Sequence, residues 1–125
     1  MSRIVIKLGT STLTAGTDRL SMSRMVEFVR QMSVLREQSH EVILVSSGAI
    51  ASGRQALNFP QLPKAIPAKQ MLAAVGQLRL MDMWGQLFAI YDIPVGQILL
   101  TRDDLNARSR YLNARNTLIA SCARV

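Results

Sequence analysis

A lysine stands near the end of an apolar run and is followed by small and hydroxyl-bearing residues: Ile4-Val5-Ile6-Lys7-Leu8-Gly9-Thr10-Ser11. Such a stretch can aim one positive charge, several backbone N–H groups and two hydroxyls at a single point. That is chemistry suited to phosphate: Gly9 lets the backbone approach, Thr10 and Ser11 add donors, and Lys7 adds charge. The same residues also suit a lysine that snorkels beside an ordinary turn. A second stretch repeats the arrangement, with Val42-Ile43-Leu44-Val45 opening into Ser46-Ser47-Gly48-Ala49-Ile50-Ala51-Ser52-Gly53. Close helix–sheet packing would also select small residues here. Two such loops on parallel strands, however, would open at the same sheet edge, where open α/β sheets bind ligands. Their convergence favours a functional site.

The elements that must position these loops can be read from spacing. The first run has no helical periodicity and predicts a short strand buried on both faces. Thr12 to Leu20 is polar and turn-rich, and Ser21 or Ser23 can cap a following helix. In that helix Met22, Met25, Val26, Val29, Met32 and Ser33 recur at helical spacing, predicting an amphipathic helix on a sheet that ends near Ser39-His40. His40, the only histidine, reads as a solvated corner residue rather than a catalytic group. Val42–Val45 completes a right-handed strand–helix–strand unit.

Asn58 to Pro67 forms a proline-containing loop, long enough to be a cover or a partner-binding arm. From Ala68 to about Tyr91 apolar residues cover most of a helical circumference, predicting broad burial against the sheet and a second layer or subunit. Gly76 and Gly85 weaken that helix. Lys69, Gln70 and Gln77 could line a polar pocket, but the pattern alone favours solvated positions. Asp92-Ile93-Pro94 turns into an expected third strand, Val95 to Leu100, and Thr101 with Asp104 resembles a capping box for a helix from Arg102 to about Ser121.

Composition narrows the function class. The chain's 125 residues amount to one domain or a piece of a larger one, and its 49% apolar content supplies a core. Seven methionines suit adaptable packing. No stretch approaches the roughly 18–20 apolar residues of a membrane helix, and the start lacks a signal-peptide pattern. One cysteine, Cys122, permits neither an intrachain disulfide nor a cysteine-based metal site, and fits a reducing, cytoplasmic setting. The net charge of +7 comes from arginines spread along the chain, densest at Arg102, Arg108, Arg110 and Arg115. With Tyr111 the only aromatic among them, this pattern points to anionic ligands or an acidic partner surface rather than nucleic acid.

In order along the chain stand Lys7-Leu8-Gly9-Thr10-Ser11, Val45-Ser46-Ser47-Gly48-Ala49-Ile50, the segment Lys69-Gln70-Met71-Leu72-Ala73-Ala74-Val75-Gly76-Gln77, Leu99-Leu100-Thr101-Arg102-Asp103, and Tyr111-Leu112-Asn113-Ala114-Arg115. Together they closely resemble the front of the glutamate 5-kinases, in the amino-acid kinase superfamily, over Arg3 to about Leu118. The resemblance implies an α/β fold, a three-layer αβα sandwich with a mainly parallel sheet. It implies ATP-dependent phosphorylation of the γ-carboxylate of L-glutamate, the first step of proline synthesis, with Mg²⁺ and in a homo-oligomer. By position, Lys7 would contact the transferring phosphoryl group, and Gly9, Thr10 and Ser11 would lie beneath the ATP phosphates. Ser47, Gly48 and Ala49 would bind glutamate. No nucleic acid or membrane partner is expected.

The resemblance also sets an expectation about extent. Residues 1–125 correspond to the substrate-side part of the kinase domain, without the nucleotide-binding half or a C-terminal RNA-modification-type domain. The chain is therefore expected to look truncated, with Ser121 to Val125 departing from the family's continuation. Two rivals belong to other classes. One is a non-catalytic piece that docks on an intact kinase or a complementary chain. The other is a basic nucleic-acid binder, whose binding would collapse with salt and ignore glutamate.

Overall fold

A computed structural model describes residues 1–124; Val125 lies outside them. The first strand, β1 (Arg3–Leu8), leads through Gly9 into a short helix, α1 (Thr10–Thr14), followed by α2 (Met22–Glu37), β2 (Glu41–Ser46) and α3 (Ala49–Ala56). A long α4 (Ile66–Ala89) precedes α5 (Arg102–Asn106) and α6 (Arg108–Arg124). β1 and β2 pair in parallel, with Ile4 opposite Val42 and Lys7 opposite Val45. At their amino ends, Arg3 pairs with Glu41 at 2.7 Å and the Ser2 N–H donates to His40 Nδ1 at 3.0 Å. The only histidine is thus a half-buried strand-start acceptor.

One face of this parallel pair carries the core. Ile6, Leu8, Val42 and Leu44 pack with Met25, Val29 and Met32 of α2 and with Leu80, Trp84, Leu87 and Phe88 of α4. Burying each large aliphatic side chain contributes about 1.5–3 kcal/mol. Ser21 caps α2, its Oγ accepting from the Arg24 N–H. The side chain of Arg24 reaches back to the Thr12 carbonyl at 3.0 Å, tying α2 to α1. α3 and α4 lie against one another through glycine: a Cβ on Gly53 would overlap the Leu72 carbonyl oxygen, and one on Gly76 that of Ala49. Gly76 costs α4 some helix propensity, and in return the two helices approach backbone to backbone.

The other sheet face is partly covered. Arg3 and Ile43 line a hollow of about 260 Å³ with Leu100, Leu105, Tyr111 and Leu118, so α6 forms a third layer over β2. The layering and the parallel pair agree with the expected α/β class.

Several local expectations are corrected. β1 is not buried on both faces: its exposure alternates, and Val5 and Val45 remain 58% and 45% exposed because α6 reaches only part of that face. The segment after Gly9 is helical at once, placing Thr10 and Ser11 in the first turn of α1. Residues 95–100 form no strand, and no third member joins the sheet among the described residues. Val95, Leu99 and Leu100 are exposed there, so the β propensity of the run has no ladder to satisfy it. The expected helix from Arg102 is capped by Thr101 and Asp104 as anticipated, but breaks at Ala107, whose ψ of 119° is extended. Finally, α4 buries one stripe, Leu72, Gly76, Leu80, Trp84, Leu87 and Phe88, while Met71, Val75 and Leu78 face outward.

Candidate functional site

The strand register decides where the two small-residue loops begin. Leu8 lies opposite Ser46, and the Ser47 N–H donates to the Leu8 carbonyl at 2.9 Å, extending the ladder one residue past β2. The two chains then leave the same carboxyl edge side by side. Gly9 precedes α1 and Gly48 precedes α3, and neither helix has a side-chain cap. The first-turn N–H groups of α3 have no intrahelical acceptor, and the helix adds partial positive charge at Gly48 and Ala49. α1, only five residues long, contributes donors rather than a sizeable dipole.

Lys7 projects from the exposed side of β1, and among the described residues its ammonium makes no ion pair or hydrogen bond. Its charge is free to meet an anion at the edge where β1 ends. Gly9, Thr10 and Ser11 are exposed beside it, and Ser47 is exposed at the neighbouring loop. Gly48 is buried at φ 107°, and a Cβ there would stand 3.3 Å from Leu13 Cδ1 and 3.5 Å from Leu20 Cδ2. Ala49 is half-buried against α4. All seven candidate residues from the two loops therefore lie along one edge. The arrangement can surround an anion with a lysine, hydroxyls and backbone donors.

The acidic component is different. Among the described residues no group of three or more His, Cys, Asp or Glu is placed to hold a metal ion. Lys69 and Gln70 are exposed on α4, as solvated positions should be, whereas Gln77 is half-buried.

Sequence reasoning missed two residues. The indole N–H of Trp84 donates to Ser46 Oγ at 3.0 Å, and Ser46 Oγ donates to the Ser47 carbonyl at 2.8 Å. The one available signal was that a buried tryptophan usually finds an acceptor for its N–H. The spacing of 38 residues conceals which acceptor it is.

Residues 2–124 match the amino acid kinase family. The chain belongs to that family. Within the amino acid kinases it is 62% identical over 117 residues to glutamate 5-kinase from Herpetosiphon aurantiacus, a match covering 94% of this chain and 32% of that protein. The glutamate 5-kinase of Photobacterium profundum is 60% identical, with 94% and 31% covered, and that of Proteus mirabilis is 57% identical, with 94% and 32% covered. This amino acid kinase chain thus spans about a third of the length of the relatives it matches. Among the described residues no helix is long and apolar enough to cross a membrane.

Proposed function

We propose that this chain supplies the glutamate-binding loop and the phosphate lysine for ATP-dependent phosphorylation of the L-glutamate γ-carboxylate. The observation that carries the proposal is the side-by-side departure of the Lys7–Ser11 and Ser47–Ala49 segments from paired strand positions. Identity of 57–62% to glutamate 5-kinases supports the choice of substrate. Membership of a kinase family implies ATP use.

The chemistry asks little beyond placement and charge. A γ-carboxylate is already ionised near neutral pH, so one of its oxygens can attack the γ-phosphorus without a general base. The new P–O bond forms as the bond to the bridging oxygen breaks, and ADP leaves. Lys7 offsets charge on the transferring group and the bridging oxygen. Gly9, Thr10 and Ser11 hold phosphate oxygens through backbone and hydroxyl donors. The Ser47 hydroxyl and the N–H groups of Gly48 and Ala49 hold glutamate. ATP supplies the phosphoryl group, and Mg²⁺ travelling with it would screen the phosphates; no step is assigned to a metal held by this chain's carboxylates.

We assign residues 1–125 to the substrate-side part of an amino acid kinase domain in the cytoplasm, working within a homo-oligomer. The experiment is a graft: this chain replaces the matching region of the Photobacterium profundum relative, and ATP- and glutamate-dependent γ-glutamyl hydroxamate is measured. Activity that disappears with Lys7→Ala supports the proposal. A folded, inactive graft, or an active one indifferent to Lys7→Ala, contradicts it.

A second reading, a non-catalytic piece docked on a complementary chain, is favoured by the exposed Val5 and Val45 on the incompletely covered sheet face. Co-purification with an intact kinase at the expense of any ligand binding would support it.

A further inference from the structure

We infer that Trp84 and Ser46 act as positioning residues for the glutamate-binding loop, and this rests on the glutamate reading above. Trp84 is 3% exposed and packs against Phe88, with ring centroids 6.3 Å apart, so the indole is held by the core of α4. Its N–H donates to Ser46 Oγ, which donates onward to the Ser47 carbonyl. The peptide unit between Ser47 and Gly48 is planar, so fixing the Ser47 carbonyl also fixes the direction of the Gly48 N–H. On the other side of the same residue, the Ser47 N–H is held by the Leu8 carbonyl, one position before Gly9.

The Ser47 backbone is therefore fixed at both its N–H and its C=O. The first tie joins it to the phosphate loop and the second to the core. Without the second tie, the Ser47–Gly48 peptide can rotate, and the Gly48 N–H must be ordered when ligand binds. That ordering would weaken binding even where the rest of the fold is intact. Neither Trp84 nor Ser46 touches the ligand; both act through the peptide that does.

The chain contains one tryptophan, which makes it its own reporter. Calorimetry would measure L-glutamate binding to the wild-type chain, Ser46→Ala, Ser46→Thr and Trp84→Phe, with melting temperatures alongside. Loss of one neutral hydrogen bond predicts about five- to tenfold weaker binding for Ser46→Ala and Trp84→Phe, with Ser46→Thr within about twofold of wild type. In the wild-type chain, the indole N–H resonance of Trp84 should shift as glutamate saturates. A purely structural role would lower melting temperatures in the variants while leaving affinity of the folded chain unchanged. That result, or an indole resonance unmoved at saturation, overturns the inference and leaves the glutamate reading standing. The resonance test needs no variant to fold. Absence of saturable binding to the wild-type chain overturns the glutamate reading and this inference with it.

Discussion

Gly76 of α4 lies directly against the carbonyl of Ala49, so close that a Cβ on Gly76 would overlap both that oxygen and the Gly53 nitrogen. The contact sets the depth at which α4 sits behind the first turn of α3. It also links the long helix to a residue assigned to glutamate. The groups in the way are backbone, which cannot rotate aside as a side-chain tip can. Gly76→Ala should therefore destabilise by about 1–3 kcal/mol or more, as overpacking does, despite its gain in helix propensity. Gly85→Ala in the same helix meets only Val95 Cγ2, at 3.8 Å, and should be neutral or stabilising by up to about 1 kcal/mol. Urea melts of the two variants would check the contrast; equal responses would contradict the packing described.

Gly48→Ala tests the second loop. Its φ of 107° disfavours any L side chain, and the new methyl would press on Leu13 Cδ1 at 3.3 Å. Strain at such a position costs of order 1–3 kcal/mol. The expected outcome is a lower denaturation midpoint together with a weaker glutamate response. A fully stable Ala variant would show that the loop adopts another conformation.

Acid sensitivity should have an identifiable contribution from Glu27. Hydrogen bonds from Arg30 and then Gln31 lower its carboxyl from the usual 4.5 to about 2. Because the folded value lies below the unfolded one, the stabilisation is present above about 4.5 and fades as pH falls toward about 2. Asp104, held low by hydrogen bonds from the Thr101 backbone and hydroxyl, acts in the same direction. Glu27 is exposed and Asp104 only half-buried, so salt should shrink the effect. Melting of Glu27→Gln against wild type should show a gap at pH 6 that closes on acidification and narrows in high salt. A gap independent of pH would contradict the assignment.

What the sequence made legible were features set by near neighbours. Ser21 caps α2 because its hydroxyl lies within a turn of the groups it satisfies, and Thr101 with Asp104 forms the capping box for the same reason. Lys7 and the two small-residue loops could be placed at one edge because parallel pairing aligns the strand ends. Residues 95–100 were misleading, since their apolar, β-prone character describes a strand only when a ladder partner is present. The one-sided burial of Val5 depends on how far α6 reaches, which no local pattern states. Ser46 and Trp84 escaped because their link spans the fold, while each residue taken alone has an ordinary packing explanation.

The most direct measurement is residue-resolved mapping of the two ligands by amide NMR on the isotopically labelled chain. L-glutamate should perturb Ser47, Gly48 and Ala49 first, a non-hydrolysable ATP analogue should perturb Lys7 to Ser11, and Lys7→Ala should abolish the second response while sparing the first. Perturbations confined to other elements, or glutamate and nucleotide responses that never meet at this edge, would contradict a single phosphoryl-transfer site built from the two loops.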